Sequence, residues 1–331
     1  MRKILFGICM LSSLLVCGQD VHFSQFFAAP MHINPAQTGN FLGSVRLGAN
    51  YRDQWGSVTV PYRTFSLFTD VGIQPKKAVN RFGLGVIALN DQAGDGVLTT
   101  NKLLISAAYH IGYTDHDAVR LAIGLQGGIV QKTFDVSRLY FDNQWNDFSF
   151  DQQIANGETG LNQQLSYADL GAGALLTIIP YEDQRYTIGA SVAHVNEPVE
   201  SFYGSTNQVG IRYTATAGAF IALNGVATFQ PQIYVSTQKK ASEIILGANF
   251  SKPMGGDGSE SALFAGTWFR VGDALWVVGG LQTGHFTGSI SYDINVSKLS
   301  TASNLSGGLE MAVVYTFGSI GKRDPLKCPT Y

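Results

Sequence analysis

The first group of side chains with an obvious capacity for polar chemistry is a run of five residues: Tyr51, Arg52, Asp53, Gln54 and Trp55. An arginine beside a carboxylate can make charge-assisted hydrogen bonds, which would hold an internal segment or a partner protein. The same residues also suit a membrane–water interface, where an aromatic ring lies among solvated neighbours. The residue types leave both interpretations open. Tyr292 and Asp293, which lead into a polar stretch, have the same character.

Catalytic and metal-binding patterns are not recognisable in the sequence. The six histidines do not form an HExxH or another metal-ligand spacing, which favours turn or wall histidines: His22, His32, His110, His116, His194 and His285. A GxSxG elbow does not occur, and the glycines do not make a dinucleotide fingerprint, because no predicted helix follows them. The sequence therefore predicts no catalytic, cofactor-binding or metal site. A net charge of −2 without a basic stripe also argues against a nucleic-acid partner.

The elements that would position these residues are strands. Residues 119–130 read VRLAIGLQGGIV, and every second side chain is apolar. A membrane-spanning strand of about 9–11 tilted residues has this length and period, although a strand of a soluble sandwich alternates in the same way. The chain repeats the pattern many times, with only 14% charged residues and abundant Gly, Phe and Tyr. The composition favours a transmembrane outer-membrane β-barrel whose apolar face meets lipid.

We expect about fourteen antiparallel strands, an even number that places both chain ends on the periplasmic side. The predicted strands are residues 44–51, 62–73, 81–90, 99–111, 118–132, 167–179, 186–194, 208–222, 226–238, 242–250, 261–270, 274–283, 286–293 and 308–317.

Both termini depart from this pattern. Residues 1–18 combine Arg2 and Lys3, an apolar core and a small-residue site, which predicts a secretory signal peptide cleaved before Gln19. Acylation at Cys17 is the alternative, although Val16 is bulky for that position. Residues 19–42 are aromatic and turn-rich without alternation, and we expect a plug-like segment inside or beneath the barrel. The barrel would span residues 43–318, followed by a periplasmic tail at 319–331, in which Cys328 is a single thiol.

A long connection at residues 133–166 interrupts the strands. Its aromatic residues alternate with acidic ones, and long loops of outer-membrane barrels lie at the cell surface. Aromatic side chains dominate the energetics of interfaces, so we expect a partner to bind there through Tyr140, Phe141, Trp145 and Phe148. A second surface loop is expected at residues 195–207.

Several of these motifs together resemble the PorP/SprF family of the Bacteroidetes. The matching residues are His22, Phe23, Ser24, Gln25, Asn34, Pro35, Tyr51, Arg52, Asp53, Trp55, Tyr292 and Asp293, with a Cys-Pro pair in the tail. The resemblance implies a non-enzymatic outer-membrane barrel of the type IX secretion system. It also implies gliding motility, and export or anchoring of a large secreted adhesin through its type B C-terminal domain. Other secretion components and, in some cases, a peptidoglycan-binding periplasmic lipoprotein would be further partners.

A transport channel for small solutes is the alternative function. A barrel of about fourteen strands encloses a lumen wide enough for a plug or a modest pore. Gln230, Gln232 and Arg120 are predicted to face that lumen and are compatible with water. An outer-membrane hydrolase has no residue constellation in its favour.

Overall fold

The computed structural model consists almost entirely of β-strands. It describes residues 20–56, 60–75, 78–112, 118–181, 183–223, 226–255, 261–297 and 306–318. The strands are β1 Val45–Gln54, β2 Tyr62–Ile73, β3 Arg81–Ala93, β4 Leu98–Ile111, β5 Val119–Thr133, β6 Gln164–Tyr181, β7 Gln184–Ala193, β8 Arg212–Leu223, β9 Ala227–Gln238, β10 Ala241–Pro253, β11 Ser261–Arg270, β12 Ala274–Thr283, β13 Phe286–Asn295 and β14 Ser306–Phe317.

These strands form one closed barrel. Each strand pairs antiparallel with its neighbours in sequence, and β1 closes the barrel against β14, with Val45 opposite Phe317. Closure leaves no sheet edge, as a strand structure in lipid requires. The predicted barrel of about fourteen antiparallel strands is confirmed, with fourteen observed among the described residues. Among the described residues no helix is long and apolar enough to cross a membrane.

Alternate side chains of each strand meet different environments. In β2, Phe65 and Leu67 point outward and are exposed, whereas Ser66 and Phe68 point inward and are buried. In β5, Leu125 is 69% exposed on the outer face. Apolar side chains thus cover the lipid-facing surface, while polar side chains line the lumen. The period of two in the sequence arises from this difference between the faces.

The two ends of the barrel differ in their connections. One end carries the described connecting residues 55–56, 60–61, 94–97, 134–163, 194–211, 239–240, 271–273 and 296–297, and we name it the loop end. The opposite end, the turn end, carries the connections between even-numbered strands and the odd-numbered strands that follow them. The two longest connections, residues 134–163 and 194–211, both lie at the loop end.

The N-terminal segment, residues 20–44, threads the lumen as a plug. It contains two 3₁₀ turns, Phe26–Ala28 and Pro35–Gln37, and a short α-helix, Pro30–Ile33. The plug-like segment predicted from the sequence is thus observed inside the barrel. Asp20 donates its backbone N–H to Gln238 at the loop end, and Ser44 pairs with Phe317 at the turn end.

The path of the plug corrects one expectation. An even strand count places the start of β1 and the end of β14 together, and they do lie together at the turn end. The first described residue, Asp20, lies at the opposite end, because the plug runs the length of the lumen before β1 begins. The predicted signal peptide and the tail at 319–331 lie outside the described residues.

Aromatic rings fill the lumen beside the plug. Phe27 of the plug stacks on Trp268 with ring centroids 5.2 Å apart, and Phe26 meets the same indole edge-on at 5.3 Å. Trp268 in turn stacks on Trp276 of the next strand. Burying such large rings is a major source of stability, since each removes a large apolar area from water. The plug is therefore part of the hydrophobic core of the protein.

Candidate functional site

A network of buried charges fixes the plug near the loop end. Glu310 of β14 accepts hydrogen bonds from the backbone N–H groups of Ser24 and Gln25, each at 2.8 Å, one on each carboxylate oxygen. Arg52 of β1 contacts the Ser24 hydroxyl at 2.6 Å, Asp293 at 3.1 Å and Glu310 at 3.3 Å. The Ser24 hydroxyl also lies 2.7 Å from Asp293.

The position of these charges explains their pairing. Arg52, Asp293 and Glu310 occupy inward-facing places on β1, β13 and β14, and each side chain is at most 5% exposed. A buried charge is costly unless it is paired and hydrogen-bonded. Since Ser24 and Gln25 supply four of the hydrogen-bonding groups, the network is complete only when the plug is in place.

Gln25 extends this network along the wall. Its side-chain amide donates to Ser291 at 3.0 Å and to the Glu310 carbonyl at 3.1 Å, while its side-chain oxygen accepts from Ser289 at 2.6 Å. His22, three residues earlier, contacts Glu243 at 2.9 Å. All these partners lie on the lumen side of β10, β13 and β14. The plug residues predicted to matter, His22, Ser24 and Gln25, therefore all contact the wall.

Asp20 is held by a separate cluster. Its Oδ2 lies 2.7 Å from His194 Nε2, 3.3 Å from Lys102 Nζ and 3.4 Å from Arg212 Nη1. Burial would raise the pKa of Asp20, but these three cationic groups hold that pKa well below its usual range. Burial would lower the pKa of His194, yet its hydrogen bonds to Asp169 and Asp20 raise it.

The Asn34-Pro35-Ala36 stretch is seated against glycines of the wall. Asn34 donates its side-chain amide to the carbonyls of Ala174 at 2.8 Å and Ala190 at 3.2 Å, which are paired residues of β6 and β7. Its side-chain oxygen accepts from the Ala36 N–H at 2.9 Å and so caps the Pro35–Gln37 turn. A Cβ at Gly173 would clash with the Asn34 side chain, and one at Gly124 would clash with the plug backbone.

Buried arginines hold the plug at the turn end. Arg46 and Asp70 form a bidentate pair at 2.9 and 2.8 Å, and Asp70 also accepts the Gly39 N–H at 2.7 Å. Arg81 donates to the carbonyls of Phe41 and Gly43, each at 2.8 Å. The plug is therefore tied to the wall at both ends of the lumen.

Two further plug residues pack within the lumen. Phe23 is buried against Ala29 and Leu89 and meets the His32 ring edge-on at 5.7 Å. His32 lies 2.6 Å from the Ser66 hydroxyl, and burial lowers its pKa to about 3. His32 is therefore neutral at physiological pH. It acts as a hydrogen-bonding group of the core.

The structure separates the Tyr51–Trp55 run into two faces. Arg52 points into the lumen, whereas Asp53 points outward and pairs with the exposed Arg63 at 3.2 Å. Tyr51 donates to Asp53 on that outer face, and Trp55 packs edge-on against Tyr62. Successive side chains of a strand point to opposite faces. The internal cluster and the interfacial aromatic, which the sequence left as alternatives, are therefore both present in this run.

The second half of the motif divides in the same way. Asp293 faces the plug, while Tyr292 is 45% exposed on the lipid side. Tyr51, Asp53, Trp55 and Tyr292 thus make no contact with the plug among the described residues, so Arg52 and Asp293 are the members of these two motifs that hold the internal segment.

Sequence reasoning missed several residues of the site. Glu310, His194 and Asp169 were not selected, and neither was Arg270, which pairs with Glu243 at 2.7 Å. A usable signal was available for Glu310. It lies between the outward residues Leu309 and Met311 of the last strand, so strand alternation places its charge in the lumen. A lumen-facing carboxylate requires a partner, and the plug was the segment still without one.

The residues predicted to bind a partner lie in the connection at 134–163. Tyr140 is 60%, Trp145 49% and Phe148 91% exposed, while Phe141 is half-buried. Phe150, which was not selected, is 48% exposed and lies between Tyr140 and Trp145, with ring centroids 5.5 and 5.1 Å apart. We name Tyr140, Trp145, Phe148 and Phe150 the aromatic patch.

The sequence comparison assigns a family to this arrangement. Residues 16–315 match the family described as type IX secretion system membrane protein PorP/SprF. The chain belongs to the PorP/SprF family. A search of curated proteins gives no match.

Solved structures share the fold of this PorP/SprF protein. A monoaromatic hydrocarbon channel, CymD, superimposes with a TM-score of 0.54 at 11% identity, over 92% of this chain and 96% of that one. The toluene transporter TodX of Pseudomonas putida gives a TM-score of 0.51 at 10% identity, over 89% and 94% of the two chains. Both likenesses concern the fold, which is that of an outer-membrane barrel.

The lumen of this family member also contains space outside the plug. Near the turn end of β7, β8 and β9, a cavity is lined by Arg185, Thr187, Phe220, Gln230 and Gln232, without a plug residue in its lining.

In the described part of the chain, no three His, Cys, Asp or Glu side chains are placed to hold a metal ion.

Proposed function

We propose that this protein is a non-enzymatic component of the type IX secretion system that binds a large secreted surface protein through its type B C-terminal domain. By that contact it helps to export the secreted protein or to anchor it at the cell surface. Gliding motility is the process that such an adhesin would serve. A peptidoglycan-binding periplasmic lipoprotein and other secretion components are the further partners in this proposal.

The aromatic patch is the observation that carries the proposal. On a water-exposed protein surface, apolar side chains are normally dispersed. A cluster of exposed aromatic side chains marks a site where another protein binds. The patch lies at the loop end, outside the lumen. It is also built into an ordered loop, since Gln144 is buried and donates to the Ile154 carbonyl at 3.1 Å. An ordered patch loses less conformational entropy when a partner binds.

The two longest connections support each other at the loop end. Phe134 meets Phe202 edge-on with ring centroids 4.7 Å apart, and Tyr203 donates to Glu158 at 2.8 Å. Lys132 and Tyr167 of the wall both contact Glu200, at 2.7 and 2.9 Å. The two loops are thus joined to each other and to the wall at the loop end, which favours retention of a folded domain.

Affinity purification from detergent-solubilised outer membranes tests this proposal. Tagged protein should retain a secreted protein with a type B C-terminal domain, identified by mass spectrometry. A triple variant, Tyr140→Ala, Trp145→Ala and Phe148→Ala, should lose it while keeping a folded barrel. Tyr181→Ala is the matched control, because Tyr181 is 67% exposed but lies at the turn end. Equal retention by both variants would reject the loop assignment.

A channel for small solutes is the second candidate, favoured by the polar cavity beside β7, β8 and β9. A channel of this kind would be closed by the plug and opened by its removal. Deleting residues 21–39 should then raise the conductance of barrels in liposomes. Unchanged conductance in a correctly folded deletion variant would count against a plugged pore.

A further inference from the structure

The cluster around Asp20 has the composition of a carboxylate-binding site. Lys102 lies in β4, His194 in the connection that follows β7, and Arg212 at the start of β8. All three side chains converge on one oxygen, Asp20 Oδ2. Asp169 accepts from the other ring nitrogen of His194 at 2.8 Å and so orients the imidazole toward Asp20. Three cationic groups on a single acceptor oxygen exceed what one carboxylate needs.

Arg212 shows that the cluster has unused capacity. Its guanidinium reaches Asp20 at 3.4 Å, a charge contact without hydrogen-bond geometry. Its Nε is buried and has no hydrogen-bond partner among the described residues. A guanidinium presents five donors in a fork that matches a carboxylate in two-point contact. The present occupant therefore leaves the strongest donor of the site poorly used.

Asp20 is also loosely packed. Asp20, Val21 and His22 are half-buried, whereas every residue from Phe23 to Met31 is buried. One cavity lies beside Asp20 against Phe23 and Leu104, and another lies between Asp20 and Glu243. The anchors at Ser24 and Gln25 do not involve Asp20. Asp20 and Val21 can thus leave the cluster while His22 and the residues that follow it keep their own contacts with the wall.

We propose that Lys102, His194 and Arg212 form a binding site for the carboxylate of a peptide, entered from the loop end and occupied in cis by Asp20. The peptide belongs to the secreted partner, so the inference rests on the proposed function. The adjoining cavity is lined by charged side chains and by the apolar side chains of Phe23, Phe26, Ile33, Leu89, Leu104 and Tyr234. This lining favours a peptide with an apolar residue beside the carboxylate.

Peptide binding to the detergent-purified full-length protein tests the site. The probe is fluorescein-labelled Gly-Ser-Gly-Ser-Leu with a free C-terminal carboxylate, followed by fluorescence anisotropy. Asp20→Asn should bind it about ten-fold more tightly than the wild type, because no internal carboxylate competes. The C-terminal amide of the same peptide should bind neither protein. An amidated peptide with Asp before the Leu shows whether a side-chain carboxylate also serves.

Second-site variants keep the test specific. In the Asp20→Asn background, Arg212→Gln and Lys102→Gln should each abolish the gain. Lys132→Gln, which removes a positive charge paired with Glu200 at the same barrel mouth, should preserve it. Heat modifiability on gels verifies that each barrel is folded.

The outcomes separate this inference from the proposed function. Equal binding of acid and amide peptides, or no gain in Asp20→Asn, overturns the carboxylate site. Such a result leaves the capture of the secreted protein by the aromatic patch standing on its own experiment. Discrimination between acid and amide peptides with unchanged partner retention in the loop variant supports the site and rejects the aromatic patch.

Discussion

Glu310 of the last strand accepts a hydrogen bond from the backbone N–H of Ser24 at 2.8 Å, although 286 residues separate them in sequence. The second oxygen of the same carboxylate accepts from the next backbone N–H, and Arg52 compensates its charge. This carboxylate thus fixes the plug directly to the strand that closes the barrel.

Replacing the Glu310 carboxylate should release the part of the plug near the loop end, residues 23–26. In Glu310→Ala, Ser24 and Gln25 lose their acceptors and Arg52 loses a buried counter-charge. Hydrogen bonds to charged groups contribute roughly 1.5–3 kcal/mol each. Amide hydrogen exchange of residues 23–26 should therefore accelerate by about ten-fold or more, at roughly ten-fold per 1.4 kcal/mol.

An outward-facing pair provides the control for this change. Asp53 pairs with Arg63, whose side chain is 56% exposed, and such exposed pairs contribute about 0–1 kcal/mol. Asp53→Asn should leave both plug exchange and barrel stability nearly unchanged. Equal acceleration in the two variants would show that Glu310 does not act through the plug.

A single added methyl group should disturb the part of the plug around Asn34, which lies farther from the loop end. The Cβ of Gly173→Ala would overlap the Asn34 side chain, which holds two wall carbonyls and caps its own turn. Overpacking of this kind costs about 1–3 kcal/mol. We expect a lower thermal midpoint in detergent and faster hydrogen exchange at residues 33–37.

Gly279 is a matched position for this substitution. It also lies in a strand, but a Cβ there meets no atom within 4 Å. Gly279→Ala should be neutral or should stabilise the protein by a few tenths of a kcal/mol to about 1 kcal/mol, by restricting the unfolded chain. A similar loss of stability in both variants would indicate a general intolerance of strand glycines.

Much of the barrel was predictable because its two faces meet different surroundings. Alternation placed Phe65 and Leu67 outward and Ser66 and Phe68 inward, as observed. The plug was predictable from its lack of alternation. Its direction was not, because an even number of strands fixes only where the strands begin and end. Asp20 reaches the loop end through contacts that are invisible in the local sequence.

The polar network was predictable only in part for the same reason. Arg52 and Asp293 were both selected by residue type, but 241 residues separate them, and no spacing predicts that they meet. Closure of β1 against β14 brings them together. Glu310 could have been found from strand alternation. Arg212 could not be assigned to Asp20, since that contact depends on the path of the plug.

The contact between His194 and Asp20 should make the start of the plug sensitive to pH. The pKa of His194 is raised in the folded protein, so its contribution is complete below the ordinary value of about 6.5 and is lost as pH rises through the folded value. Once neutral, the ring can donate to only one of its two carboxylate neighbours. Hydrogen-exchange protection at residues 20–22, corrected for intrinsic rates, should therefore fall as the pH rises above about 6.5.

A variant without a titrating ring isolates this effect. His194→Gln keeps a hydrogen-bonding side chain but carries no charge at any pH, so protection should be lower at acidic pH and nearly flat across the same range. Protection that increases with pH in the wild type would contradict the assigned sign.

The aromatic patch allows binding to be separated from folding. Phe148 is 91% exposed, so Phe148→Ala should change the free energy of unfolding by less than about 0.5 kcal/mol. If Phe148 is a central contact for the secreted partner, the same change should weaken binding by about 1–2 kcal/mol or more, which is roughly ten-fold in affinity.

Phe150→Ala should affect both quantities, because Phe150 packs between Tyr140 and Trp145. Titration of the purified C-terminal domain measures the binding affinity of each variant, and thermal unfolding in parallel measures its stability. Unchanged affinity in Phe148→Ala with weakened binding in Phe150→Ala would mean that the ordered shape of the loop, rather than the exposed ring, is what the partner recognises.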